Sequence, residues 1–161
     1  MSKEKLNPTQ NSVPAKARVE LVGLLNAALA DLSDLYSQAK QAHWNVRGKR
    51  FYALHKLFDE VAGSVEEHLD DVAERAVQLG GHAHGTVRQV AKASRLKDWP
   101  SDKDNQEAYV DVLAERFAVV ANAVRASIDR SAALGDADTA DLLTGVSRDL
   151  DKSLWLLEAS R

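Results

Sequence analysis

The chain has 161 residues, enough for one domain with a single sizeable core, and no cysteine, which excludes a disulfide framework, a thiolate nucleophile and a zinc–thiolate site. Leu, Ala and Val dominate while glycine (8) and proline (3) are scarce, a balance that favours long helices over a many-stranded sheet. A net charge of −3 argues against a body that is mainly nucleic-acid surface. The absence of a signal-like leader or of any run near ~20 apolar residues predicts a cytoplasmic protein with no membrane span.

Residues 1–18 hold Lys3, Lys5, Lys16 and Arg18 against one acid, Glu4, together with Pro8 and Pro14. They are expected to form a mobile, mildly basic tail ahead of a bundle domain over 19–161. A helical stripe of Leu21, Leu25, Leu29, Leu32 and Ala39, continued by His43, predicts a first helix from about Ala15 to Val46. Gly48 ends it, and the short link Gly48-Lys49-Arg50 implies an antiparallel neighbour. The second helix, about Phe51 to Leu79, stops at Gly80-Gly81.

A long connection follows over 80–104, with a short helix predicted at Val87 to Ser94. The third helix, about Asn105 to Leu134, carries Tyr109, Leu113, Phe117, Val120, Val124 and Ile128 at steps of three and four. Gly135 closes it, and Asp136 or Asp138 caps a fourth helix with the stripe Leu143, Val146, Leu150, Leu154 and Leu157. The fold class is therefore all-α: a four-helix bundle whose one long crossover is the ferritin-like arrangement.

Beside the apolar stripe of the second helix runs a second, polar one: His55, Asp59, Glu66, Asp70 and Glu74. Residues four apart lie about 5–6 Å from each other, so His55 and Asp59 are within chelating reach of one ion, and Asp70 and Glu74 repeat the spacing. The antiparallel hairpin brings His43 level with His55 and Asp59. Asp59 and Asp70, however, are eleven residues and about 16 Å apart along a helix, too far to share a metal bound at about 2.0–2.2 Å.

Two copies of the helix crossing antiparallel on a two-fold axis near Gly63 and Ser64 solve this. Each site then takes His43, His55 and Asp59 from one subunit and Asp70 and Glu74 from its partner. An imidazole–carboxylate set without thiolate suits Fe(II), Mn(II) or Zn(II). Any single acid beside a core stripe is more simply a solvated flank; it is the joint pattern that points to a metal. A ferritin-type centre inside one bundle is excluded, because it needs Glu-x-x-His and the residues three before each histidine are Lys40, Tyr52, Val65, Leu79 and Gly81.

The segments KQAHWNVRG (40–48), F-x-x-L-H-x-x-F-D-E (51–60) and H-L-D-x-x-A-E-R-A-V-Q-L-G-G (68–81) resemble the Dps family, the mini-ferritins. DTADLLT (138–144) and SRDLDKSLWLLE (147–158) are similar as well. The resemblance implies a hollow homododecamer with ferroxidase sites at two-fold dimer interfaces, and it places iron ligands on the same five residues, with two iron ions per site. It implies oxidation of Fe(II), preferably by hydrogen peroxide, ferric mineral storage and protection of DNA from oxidative damage. Trp44 resembles a tryptophan beside the site that can give an electron to a stray oxidant; a packing role at the dimer contact is the alternative.

Asp136, Asp138, Asp141 and Asp149 are candidates for an acidic pore through which iron enters, or for helix-capping acids. Arg75 is expected to pair with Asp149 or Asp151, and His68 to be structural or interfacial. His82 and His84 are read as a solvated loop, with an extra metal site as the alternative. Binding to DNA, and with it association with the nucleoid, would rest on Lys3, Lys5, Lys16 and Arg18, repeated on each subunit of the shell. The competing function is a nucleoid-compacting DNA-binding protein whose metal site is secondary.

Overall fold

The computed structural model describes residues 5–101 and 105–161, and among them there are five helices and no strand. The long helices are α1 (Ala15–Asn45), α2 (Phe51–Gln78), α4 (Gln106–Ala133) and α5 (Ala137–Glu158), and the short α3 (Val87–Ala93) lies in the crossover. Pro14 stands just before α1, where its missing N–H costs nothing. The Asn105 side chain caps α4 by accepting from the Ala108 N–H at 2.8 Å, and Asp136 caps α5 by accepting from the Thr139 N–H at 3.2 Å. Thr86 and Gln89 form a capping box at α3.

The hairpins α1–α2 and α4–α5 each pack along their length, then meet through α1 against α4 and α2 against α5. The seam is dry: Leu21, Leu25, Leu32, Leu35, Phe58, Leu113, Phe117 and Leu150 are at most 1% exposed. Burying each such side chain stabilises the fold by about 1.5–3 kcal/mol. The turn between α1 and α2 depends on Gly48, whose φ of +129° few side-chain-bearing residues adopt. A Cβ there would also lie 2.6 Å from Gln106 Oε1.

The crossover is held by polar residues on α1. Asp31 is fully buried and accepts from the Arg95 backbone N–H at 2.9 Å and from its Nε at 2.7 Å. Ser94 donates to Asp34 at 2.6 Å, and Gln38 donates to the Lys97 carbonyl at 3.0 Å. Asn26 binds both the His82 carbonyl and the His84 N–H, each at 2.8 Å.

At the N-terminus α1 begins at Ala15, where its stripe predicts, so the tail is shorter than 1–18: Ala15 to Arg18 form the first turn of the helix, and Ala17 is already buried. Ahead of them, the Asn7 N–H donates to the Gly80 carbonyl at 2.7 Å, while Leu6 and Val13 pack against the core. Gly80 has φ +88°, and a Cβ on it would meet the Asn7 carbonyl at 2.7 Å. Among the described residues no helix is long and apolar enough to cross a membrane.

Candidate metal centre

The turn at Gly48 sets His43, in the last turn of α1, against His55, in the second turn of α2. Their rings stack with centroids 3.8 Å apart and planes 21° from parallel. Each ring also reaches across to the other residue's main chain: His43 Nδ1 lies 2.8 Å from the His55 carbonyl, and His55 Nδ1 lies 2.9 Å from the His43 carbonyl. A carbonyl oxygen only accepts, so both Nδ1 atoms carry the proton. In the neutral imidazoles both Nε2 atoms are then lone-pair donors, the tautomer a metal ligand needs.

Asp59 stands one turn beyond His55, with Oδ1 3.9 Å from His43 Nδ1. The same oxygen accepts from Lys40 Nζ at 2.7 Å. That hydrogen bond holds the Asp59 carboxyl below its ordinary pKa, against slight desolvation, and Asp59 in turn raises the Lys40 ammonium. Asp70 and Glu74 are exposed further along α2 on the face that carries Asp59. Among the described residues of one chain, no group of three or more His, Cys, Asp or Glu side chains forms a metal-holding cluster. Trp44, next to His43, is 67% exposed.

A ferritin-like domain profile matches residues 22–160. The chain is 45% identical over 155 residues to the DNA protection during starvation protein of Agrobacterium fabrum, covering 96% of each. It is a member of the Dps family of ferritin-like proteins. Among solved structures, DpsC from Streptomyces coelicolor superposes with a TM-score of 0.93 at 30% identity, over 97% of this chain and 91% of that one. Dps from Mycobacterium smegmatis gives a TM-score of 0.91 at 28% identity, over 97% and 94%.

Several expectations for this Dps chain need correction. Asp136 is only 3% exposed: its carboxylate accepts from Arg75 Nη2 at 2.8 and 3.0 Å and from Thr139 Oγ1 at 2.5 Å. A carboxylate so committed caps α5 and ties it to α2, and it is withdrawn from the pore set. Asp138 (3.9 Å from Arg75) and Asp141 remain exposed. The partner of Arg75 is thus neither Asp149 nor Asp151. Asp149 is bound by His68 Nε2 at 2.9 Å, which makes His68 a link between α2 and α5, and Asp151 is paired with Arg125.

The basic set changes too. Arg18 donates from Nε to the Val13 carbonyl and from Nη1 to the Leu79 carbonyl, each at 3.0 Å, so its guanidinium fastens the segment ahead of α1. Lys5 and Lys16 are exposed, and Lys3 lies outside the described residues. In the loop, Gln89 Nε2 lies 3.3 Å from His84 Nδ1. Lys40 is the residue sequence reasoning passed over. Its signal was present: in the hairpin register that pairs His43 with His55, Lys40 falls level with Asp59.

Proposed function

We propose that this Dps protein is a ferroxidase and iron store that consumes hydrogen peroxide at sites shared by two subunits. The observation that carries this reading is the reciprocal His43–His55 pair beside Asp59, in which main-chain carbonyls take both Nδ1 atoms, leaving each Nε2 for a ligand role and the set short of ligands. Asp70 and Glu74 of the partner subunit would complete it. Fe(II) is the substrate; imidazole and carboxylate together suit an ion that must change oxidation state.

Two Fe(II) ions held together give up one electron each. Peroxide takes both electrons and two protons, its O–O bond breaks, and two waters form, so hydroxyl radical is not released. Carboxylates that stay ionised near neutral pH, as Asp59 does beside Lys40, favour the ferric product. Trp44, exposed next to His43, would give an electron to a stray oxidant. The ferric product would be stored as mineral inside a dodecamer, with Asp138, Asp141 and Asp149 as the remaining candidates for the acidic way in. A cytoplasmic location follows the same reading.

DNA protection then comes from removing Fe(II) and peroxide. Nucleoid compaction as the chief role has less behind it, since Arg18 is engaged and Asn7 is tied to Gly80, leaving Lys3, Lys5 and Lys16 for phosphate contacts. The deciding experiment is anaerobic Fe(II) loading followed by peroxide, in wild type and in His43→Ala, His55→Ala and Asp59→Ala. The variants should lose rapid oxidation; variants as fast as wild type would remove the assignment.

A further inference from the structure

Two large apolar side chains stand in solvent at opposite ends of α2: Tyr52 is 71% exposed and Val77 54%. Both belong to the stripe that carries the acids. Along it, Tyr52, Asp59, Gly63, Glu66, Asp70 and Val77 follow one another at steps of seven, four, three, four and seven residues. At 100° per residue these six positions stay on one narrow face. The order of steps reads the same from either end.

A second copy laid antiparallel, so that Asp59 meets Asp70, therefore also sets Gly63 beside Glu66 and Tyr52 beside Val77. Gly63 has no reason for being glycine inside its own chain: its φ is not positive, and an added Cβ would meet nothing within 4 Å. Close approach of another helix supplies one.

Val77 lines a hollow of about 300 Å³ with Ala73, Glu74, Gln78 and Ala83. Tyr52 of the same chain is 25 residues away, about 37 Å along the helix, and cannot reach it. Charge favours a second copy as the occupant. Lys56 Nζ lies 5.9 Å from the centroid of the Tyr52 ring, so a docked Tyr52 brings a cation to the wall that carries Glu74.

We infer that the Tyr52 ring of each copy seats in the Ala73–Val77–Ala83 hollow of a second copy, closing the edge of each shared metal centre on the side of Glu74. The ring removes water from that wall and limits the freedom of the Glu74 carboxylate, as an apolar shell does around a metal site. This rests on the register of the intersubunit centre proposed above, and not on its chemistry.

The chain has no cysteine, so a clean test is available. In Tyr52→Cys/Val77→Cys, any disulfide must join two chains, because 37 Å is far beyond the ~7 Å limit for bridging within one. Mild oxidation should give a covalent dimer on non-reducing gels. Tyr52→Cys alone, Val77→Cys alone and Tyr52→Cys/Val119→Cys, with circular dichroism matching wild type, should not. Tyr52→Ala should weaken self-association about tenfold or more in sedimentation, the change expected for one buried aromatic side chain.

No covalent dimer, or one equally abundant with Val119→Cys, overturns the inference. The cross-link needs no iron and should persist in a His43→Ala/His55→Ala background. A cross-link without iron oxidation would sink the ferroxidase reading alone, and iron oxidation without a cross-link would sink the aromatic plug alone.

Discussion

Lys40 and Asp59 form an ion pair 2.7 Å long across the α1–α2 hairpin, on the carboxylate oxygen that faces His43. The protein thus holds a cation of its own where an iron ligand is expected. If Fe(II) binds Asp59 as proposed, the ammonium competes with it for that oxygen, so Lys40→Gln should bind Fe(II) severalfold more tightly by anaerobic calorimetry, roughly two- to fivefold for a pair this exposed. Weaker binding in Lys40→Gln would mean that the lysine positions Asp59 and does not compete for it.

Arg75 and Asp136 should govern acid stability. Burial alone would raise the Asp136 carboxyl, but hydrogen bonds from Thr139 and Arg75 outweigh it and the net shift is downward. A group with a depressed folded pKa stabilises the fold above its unfolded value, about 3.9, and loses that contribution as pH falls through the lower folded value. Asp136→Asn should therefore cost about 3 kcal/mol at pH 7, a fall of roughly 10 °C in Tm, with the gap from wild type shrinking below about pH 4. A gap that stays constant from pH 7 to pH 3 would assign the loss to packing and not to the ion pair.

The helices were legible because each rests on a repeated signal. Apolar residues at steps of three and four, closed by Gly48, Gly80 and Gly135, gave α1, α2 and α4 to within one residue at each end. The juxtaposition of His43 with His55 and Asp59 was legible because hairpin register is arithmetic once the turn is known. The partner of Arg75 was not: Asp136, Asp149 and Asp151 all lie on or beside α5, and only the packing of α2 against α5 chooses among them. The anchoring of the N-terminal segment was hidden for another reason. It runs through backbone groups of Asn7, Val13, Leu79 and Gly80, and a main-chain hydrogen bond leaves no mark on composition.

That anchoring sets the expectation for DNA. Arg18→Ala removes both guanidinium bonds, so the Asn7 amide should exchange with deuterium at least several times faster than in wild type. Retention of DNA by the wild-type particle should be weak and fall steeply between 50 and 200 mM salt, as binding through a few lysines requires. Deletion of residues 1–14 should abolish it. A deleted protein that still retards DNA unchanged would place the contact on the body and not on the tail.

If each metal centre takes ligands from two subunits, two inactive variants should complement one another. One variant carries His43→Ala/His55→Ala and the other Asp70→Ala/Glu74→Ala; each alone lacks half of every site. After dissociation and random co-assembly, half of the dimers are mixed, and each mixed dimer has one intact site and one doubly defective site. Peroxide-driven Fe(II) oxidation should then return to about one quarter of the wild-type rate. A mixture no faster than the two variants measured separately would contradict the shared site.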